Sequence, residues 1–222
     1  IDFGNLASAI YGVGAAASQI RAISFGGFQT SPSSVPINTI QFVTIAQTGN
    51  AVDFGDVSTT RNYAGGCASS IRAVFGGGTP SGSPYPVTNT IEFLTISTLG
   101  NGQDFGDLTI ARSTAATASN ATRGIFAGGY NPSPSPAAPL NVIDFVTLAT
   151  LGNAIDYGDL PSTRTSISGC SSSTRMLMGN SYSATNVIEF IEISTTGNAS
   201  DFGDSTDARF QAAAFSNGHG GL

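Results

Sequence analysis

The sequence contains no lysine and no tryptophan, and it has only one histidine and two cysteines among 222 residues. With eight arginines against 14 acids, it lacks the Lys and Arg clusters on which phosphate-backbone binding rests. Two cysteines alone do not make a zinc site, and the only histidine, His219, lies near the end of the sequence. No apolar run approaches the roughly 18 residues of a membrane-spanning helix. We therefore expect no nucleic-acid partner, no metal or other cofactor, and no membrane insertion.

What the sequence does contain is an internal repeat. The phrase Asp-Phe/Tyr-Gly, written D-F-G below, recurs in steps of 51, 51, 52 and 45 residues. Its copies begin at Asp2, Asp53, Asp104, Asp156 and Asp201. A second phrase, Asn-x-Ile-x-Phe ending in Gly-Asn, spans Asn38–Asn50, Asn89–Asn101, Asn141–Asn153 and Asn186–Asn198. A period near 50 residues is typical of arrays and propellers.

The repeats predict one repetitive domain over residues 1–222. Its copies cover approximately 2–52, 53–103, 104–155 and 156–200, followed by a partial copy at 201–222. Both ends fall inside a repeat, so we expect the natural protein to continue beyond Ile1 and Leu222, and the absence of a targeting signal carries no weight.

Each repeat predicts four short antiparallel strands. A small-residue segment such as Arg112 to Ala118 fits strands that converge on a crowded axis, and an apolar segment such as Arg123 to Gly129 ends in a glycine pair. The third segment, seen at Ile91 to Ile96, is apolar on both faces, which indicates packing on both sides. Gly-Asn then predicts a hairpin that returns to the next D-F-G. Four strands per repeat favour propeller blades, with a parallel β-helix as the alternative.

Two resemblances follow from these phrases. The strand ending in Gly-Gly, the Arg that opens the small-residue strand, and the period near 50 resemble the kelch repeat. The usual kelch Trp is missing, and we expect Phe54, Phe105, Tyr157 and Phe202 to take its packing role. A closer likeness is to tandem repeats in virion structural and fibre-like proteins of marine tailed bacteriophages, especially those of cyanobacteria. It is carried by the segments Ile91–Arg112, Ser119–Tyr130 and Gly169–Arg175.

The resemblances imply an all-β fold: a kelch-like β-propeller of four-stranded blades on a virus particle or fibre. We expect about five blades, and the repeats leave open whether the ring belongs to a larger propeller. No catalytic residue comes with the likeness.

Most charged residues belong to every copy, which favours structural roles over catalysis. D-F-G resembles the kinase metal-binding motif, but the other kinase motifs are missing and the phrase occurs five times. It is interpreted instead as a blade-joining turn. Asp-x-x-Asp in one such turn supplies too few oxygens for calcium.

We predict that the second Asp of the D-F-G-D phrase pairs with the Arg five residues later, or with the Arg of a neighbouring blade, and so holds the blades together. These residues are Asp56, Arg61, Asp107, Arg112, Asp159, Arg164, Asp204 and Arg209. The first copy has Asn5 and Ile10 in these positions, so both charges are lost together.

The two cysteines, Cys67 and Cys170, share one register in non-adjacent copies. Their Cα atoms are expected to lie beyond the roughly 7 Å limit for a disulfide, so we interpret both as small buried apolar residues. The non-repeating polar residues Glu192, Asp207 and His219 would point to an enzyme only if they lined one deep pocket.

The best candidates for recognition are the proline-rich loops after the second strand, where we single out Tyr85, Tyr130 and Tyr182. They lie on the expected variable face, where aromatic rings stack on sugars, fill partner pockets, or cover a blade edge. We predict a non-enzymatic virion structural or fibre-like protein, located on the extracellular particle and acting in adhesion or assembly. Its partners would be other virion proteins, a host-surface receptor or glycan, or further copies of itself. The alternative is a lectin-like propeller that binds carbohydrate at repeated sites.

Overall fold

The computed structural model describes residues 1–30, 35–80, 86–133, 138–183, 185–209 and 212–215. Over these ranges the regular structure consists of strands, with no helix. No helix long and apolar enough to cross a membrane is found in the part of the chain that the structure describes.

The strands follow the repeats, and each repeat is described here together with the D-F-G strand that opens the next copy. The first repeat contains β1 (Ile10–Tyr11), β2 (Gly14–Ala17), β3 (Arg21–Phe25), β4 (Phe28–Gln29), β5 (Val35–Pro36), β6 (Thr39–Thr44) and β7 (Val52–Asp56). The second contains β8 (Arg61–Asn62), β9 (Gly65–Ala68), β10 (Arg72–Gly76), β11 (Thr79–Pro80), β12 (Thr90–Thr95) and β13 (Gln103–Asp107). The third contains β14 (Ala116–Ser119), β15 (Arg123–Ala127), β16 (Tyr130–Asn131), β17 (Ala138–Thr147) and β18 (Ile155–Arg164), and the fourth contains β19 (Ser168–Ser171), β20 (Arg175–Gly179), β21 (Thr185–Glu192) and β22 (Ser200–Arg209).

Three main strands of each repeat and the D-F-G strand that opens the next copy form one antiparallel sheet, and its main strands follow chain order. Sheet 1 is β2-β3-β6-β7, sheet 2 is β9-β10-β12-β13, sheet 3 is β14-β15-β17-β18, and sheet 4 is β19-β20-β21-β22. The four strands predicted for each repeat, and the hairpin that contains Gly-Asn, are therefore confirmed. Among the described residues no strand pairing joins sheet 4 back to sheet 1, so what is observed is a series of four neighbouring sheets.

Four of the five D-F-G copies lie inside the fourth strand of a sheet and not in a turn, and the first copy, at residues 2–4, lies outside the strands. In sheet 2, Ile91 faces Gly106 and Glu92 faces Asp104, so Phe105 is an extra residue without a partner in the ladder. This is a β-bulge, which bends a strand and re-aims the side chain of the extra residue. The same shift occurs at Phe54, Tyr157 and Phe202. The interpretation of D-F-G as a blade-joining turn was wrong, because the period-2 pattern of a sequence does not reveal an extra residue on one strand of a pair.

In sheets 1 to 3 the aromatic residue of the bulge packs at the junction with the next sheet, whereas Phe202 of sheet 4 is 53% exposed. Phe54, Phe105 and Tyr157 are 2%, 2% and 3% exposed. Each also meets the phenylalanine of the neighbouring strand edge to face, as in Phe93–Phe105, whose ring centroids are 6.0 Å apart. Three hydrophobic clusters fill the spaces between sheets 1 and 2, 2 and 3, and 3 and 4. Sheets 2 and 3 are thus packed on both faces, as the two-sided apolar pattern predicts.

The small-residue strands β2, β9, β14 and β19 lie next to one another in sequence order, as the predicted convergence on a crowded axis requires. All four line a shared central cavity of about 370 Å³, which Phe215 also lines. Cys67 is buried and Cys170 is partly buried at this cavity, and both are free thiols. Burial raises the pKa of the Cys67 thiol to about 12, so this sulfur stays protonated and behaves as an apolar group.

Candidate functional site

The sheets are joined by a set of bonds that repeats at every junction. Between sheets 2 and 3, Gly152 N–H donates to the carbonyl of Phe105 (2.9 Å) and Ala154 N–H to that of Asp107 (2.8 Å). In return, Asp107 N–H donates to Asn153 Oδ1 at 3.1 Å. Thus the bulge of one sheet is held by the Gly-Asn turn of the next. Equivalent bonds are formed by Phe54 and Asp56 with Gly100, Asn101 and Gly102; by Tyr157 and Asp159 with Gly197, Asn198 and Ala199; and by Phe3 and Asn5 with Gly49, Asn50 and Ala51.

A buried ion pair crosses each junction between the four sheets. Arg61, Arg112 and Arg164 lie at the connections between sheets, and each guanidinium reaches an acid on the third strand of the following sheet. The pairs are Arg61–Glu92 (2.5 Å), Arg112–Asp144 and Arg164–Glu189 (3.0 Å). These six are the buried charged side chains of the described residues.

The predicted ion pairs therefore have the right arginines but the wrong acids. Asp56, Asp107 and Asp159 form no ion pair with any described residue; their backbone N–H groups and carbonyls hold the Gly-Asn turns instead. Arg209 pairs with Asp207 at the surface and not with Asp204. The physical reason is strand direction: the acid of the third strand points into the junction, where the Arg side chain arrives from the preceding sheet. The first repeat has Ile10 and the neutral Gln41 in these two places.

Backbone and hydroxyl donors complete the carboxylate sites. Arg112 also donates to the carbonyl of Val142 at 2.9 Å, and Asp144 accepts bonds from the N–H and hydroxyl of Thr109 at 3.0 and 2.6 Å. Burial is the main cause that lowers the pKa values of Arg61 and Arg112, and the paired acids oppose it. The loss of one partner would leave a buried charge, the costly case for an ion pair.

Glu189 is the exception among the three acids, because Pro161 occupies the position of Ser58 and Thr109 and has no N–H to donate. One carboxylate oxygen of Glu189, Oε2, is buried and has no hydrogen-bond partner in the part of the chain that the structure describes. Burial raises the pKa of Glu189, Arg164 opposes the shift, and Asp201 adds to it. Without this donor, the ionised carboxylate of Glu189 is stabilised less than the carboxylates of Glu92 and Asp144.

Replacing Pro161 with serine is expected to raise the free energy of unfolding. The new N–H and hydroxyl would satisfy Glu189 Oε2, which is worth about 1–3 kcal/mol, against a loss of about 0.4–1 kcal/mol from a more flexible unfolded chain. The pKa of Glu189 is higher in the folded chain than the ordinary glutamate value of about 4.3. The contribution of Glu189 to stability is therefore fully present below about pH 4.3 and is lost as the pH rises through its pKa in the folded chain. Pro161→Ser should reduce that loss. Urea unfolding at several pH values measures both effects, and an unchanged pH slope would contradict this account.

The second arginine register also spans the junctions. Arg21, Arg72 and Arg123 donate through Nη1 to the carbonyls of Ile96, Leu148 and Ile193 in the next sheet, at 2.6, 3.0 and 2.9 Å. Each guanidinium also lies over a phenylalanine ring of its own sheet, with 4.4–4.9 Å from the carbon to the ring centroid. Six of the eight arginines are therefore committed to holding neighbouring sheets together.

One end of the sheets carries the connections, and we name it the loop face. It comprises the segments that lead into the first main strand of each sheet, near residues 10–12, 61–63, 112–114 and 164–166, and the described parts of the connections that follow the second strand. The two sets are paired: β1 with β4, β8 with β11, and Ser113 with Tyr130. The entering segments are also bonded to one another, since Tyr63 N–H donates to Gly12 and Thr114 N–H donates to Tyr63.

An aromatic cavity of about 500 Å³ opens on this loop face across the first three repeats. Its rings are Tyr11, Phe28, Tyr63 and Tyr130. Tyr11 is 5.2 Å from Phe28 and 6.5 Å from Tyr63, measured between ring centroids. Tyr63 has a φ of 56°, an unfavourable value for a bulky residue, and the bonds on both sides of it hold it there. The backbone of Tyr63 is thus held in place, and the four rings form an apolar wall of the cavity.

Asn62 supplies the cavity with an unused hydrogen-bond acceptor. Asn62 is 7% exposed, it lines the cavity, and its Oδ1 has no hydrogen-bond partner among the described residues. A buried acceptor without a donor costs about 1–3 kcal/mol, which a hydroxyl or N–H of a ligand would recover. The other polar lining residues are Thr79, Ser113 and Thr114. Burial raises the pKa of Tyr63, and nearby Tyr11 adds to the shift. With uncharged polar groups and aromatic rings, the cavity suits a neutral, hydroxyl-bearing ligand.

Of the three predicted binding residues, the structure places only Tyr130 in this cavity. Tyr182 lies on the loop face with 68% of its surface exposed, and Tyr85 falls outside the described residues. Tyr11, Tyr63 and Asn62 were not predicted as binding residues, because they lie in the entering segments and not in the proline-rich loops. One signal was available: the position of Tyr63 is Gly, Thr or Ser in the other copies, so it varies within an otherwise repeated segment.

The non-repeating polar residues do not form a reactive cluster within the described part of the chain. Glu192 pairs with Arg175, and Asp207 pairs with Arg209, in both cases near the surface. His219 falls outside the described residues. A scan of protein-family models and a search of curated proteins found no match to this chain.

Proposed function

We propose that this chain is a non-enzymatic adhesion module of a virion structural or fibre-like protein, and that its repeats are blades of a kelch-like propeller closed by a further blade. Its loop face would contact a host-surface receptor or another particle protein. The observation that carries the proposal is the aromatic cavity on that face, since a rigid scaffold below a variable surface is the usual arrangement for recognition. The commitment of the buried charges to sheet junctions supports a binding role over catalysis.

A carbohydrate is the ligand class that the cavity favours. Tyrosine rings offer apolar faces to the C–H side of a sugar, and Asn62 Oδ1 offers an acceptor to one of its hydroxyls. The lining residues carry no charge, which favours neutral over acidic sugars. The cavity is lined by different residues from three successive repeats. This candidate function therefore predicts one binding site per chain, in contrast to the repeated equivalent sites of a symmetric lectin.

A glycan array followed by calorimetry tests this function. We expect a neutral glycan to bind one site per chain, and Tyr11→Ala to weaken binding at least about tenfold, as truncation of an aromatic anchor does. Tyr11 is 47% exposed, so its removal should spare the fold. Tyr182→Ala is the matched control, since this tyrosine lies on the same face outside the cavity, and it should leave affinity unchanged. Equal losses in both variants, or binding of no neutral glycan, would contradict the assignment.

A further inference from the structure

Four residues of the loop face share a left-handed backbone, and we name them the left-handed register. They are Gly12, Tyr63, Thr114 and Ser166, which follow one another at the spacing of the repeats and have φ values between 56° and 63°. The backbone N–H of Tyr63 donates to the carbonyl of Gly12 at 2.7 Å, and that of Thr114 donates to the carbonyl of Tyr63 at 2.9 Å. Because main-chain bonds between repeats hold this conformation, it persists although the side chain changes from copy to copy.

The four side chains differ in what this backbone costs them. Glycine adopts a positive φ without a steric penalty, whereas a bulky or β-branched residue is strained there. Tyr63 and Thr114 are the two strained choices, and both line the aromatic cavity. The described lining of that cavity includes neither Gly12 nor Ser166. Strain in this register therefore coincides with the cavity, as it does at ligand-binding sites in general.

Neighbouring groups fix both strained side chains. A Cβ on Gly12 would lie 2.9 Å from Cε1 and 3.2 Å from Cδ1 of Tyr63, so the tyrosine ring lies directly across the glycine. The hydroxyl of Thr114 is bonded to the carbonyl of Ser113 and to the hydroxyl of Thr165, in both cases at 2.7 Å. Both side chains are thus ordered before a ligand arrives, which lowers the entropic cost of binding.

We propose that the left-handed register selects the ligand of the aromatic cavity: Tyr63 and Thr114 contact the bound neutral glycan, and Gly12 positions the ring of Tyr63. This inference rests on the function proposed above and adds to it the residues that determine specificity. A change of side chain in this register alters the choice of glycan, while the junctions between the sheets stay intact because they use other residues.

Glycine substitutions in the register separate binding from folding. Tyr63→Gly removes the ring and relieves the strained backbone, so the urea midpoint of unfolding should stay the same or rise. On an array of neutral glycans, probed with a dilution series of each variant, Tyr63→Gly should weaken binding at least about tenfold. Thr114→Gly should change the rank order of the bound glycans. Ser166→Gly, the control in the same register outside the cavity, should leave the array pattern unchanged.

A double-mutant cycle on the same array tests the positioning role of Gly12. Gly12→Ala should weaken glycan binding by the otherwise unchanged chain, because the new Cβ displaces the ring of Tyr63. Combined with Tyr63→Gly, the same substitution should have no further effect on binding, since there is no ring to displace. Equal weakening with and without the tyrosine would overturn the positioning role, because a purely structural glycine acts in both chains.

The outcomes distinguish this inference from the function on which it rests. A wild-type chain that binds no neutral glycan would overturn both. Binding that Tyr11→Ala weakens, but that Tyr63→Gly and Thr114→Gly leave unchanged, would overturn the role of the left-handed register alone. So would a fall in the urea midpoint of Tyr63→Gly large enough to explain its loss of binding, since the tyrosine would then support the fold.

Discussion

Replacing Arg112 with alanine should lower the free energy of unfolding by about 3–5 kcal/mol, the loss expected when one member of a buried ion pair is removed. Neither Arg112 nor Asp144 has exposed side-chain surface. Without the guanidinium, Asp144 keeps the two bonds from Thr109 but loses its counter-charge, and the carbonyl of Val142 loses a donor. Urea unfolding monitored by circular dichroism measures the change.

Two matched substitutions make this result specific. Arg209→Ala removes the same residue type in the same register, but from a position whose side chain is 62% exposed, so the change should stay within about 0.5 kcal/mol. Asp107→Asn tests the pairing expected from the sequence, and it should be equally mild because Asp107 holds the next sheet through its backbone. A large loss in Asp107→Asn, or a small one in Arg112→Ala, would contradict the assigned ion pairs.

Gly106→Ala should have the second large effect, because it places a Cβ 2.5 Å from the carbonyl oxygen of Gly152. The obstacle is backbone of the next sheet, which cannot rotate away as a flexible side chain could. The junction must open, at a cost of about 1–3 kcal/mol by analogy with overpacked cores, in addition to strain from an alanine at φ +144°.

Gly203→Ala separates these two contributions. Its φ of +141° imposes the same backbone strain, while the space around its Cβ is open among the described residues. The difference in unfolding free energy between the two variants therefore measures the clash at the junction alone. Equal losses would show that glycine is needed there only for its backbone conformation.

The repeat, the four strands per repeat and the packing of the third strand on both faces follow from the sequence, because they depend on local periodicity. The ion-pair partners do not follow. In the first copy Ile10 replaces the arginine, and the acids are replaced at two positions, by Asn5 and by Gln41. The loss of the arginine is therefore matched equally well by the loss of either acid, and the sequence does not show which one is its partner. Only the direction in which the third strand presents its acid distinguishes between them.

The bulge and the cavity were beyond sequence reasoning for related reasons. An extra residue at Phe105 is visible only when its strand is aligned with Ile91 and Glu92 on the partner strand. The cavity brings together Tyr11, Tyr63 and Tyr130, which lie in three repeats, and their proximity depends on how the sheets are placed side by side. Local patterns specify the elements, whereas the contacts between copies specify the site.

The Gly-Asn turn that holds each bulge has a consequence for how such a chain can change over evolutionary time. The bonds involve main-chain groups and one asparagine amide, and they are the same at each junction. Gene duplication or unequal crossing-over that inserts or removes a whole repeat would still place a bulge against a matching Gly-Asn turn on both sides of the change. The number of repeats and the sequences of the outer connections are thus free to diversify separately, without a new junction between sheets having to evolve.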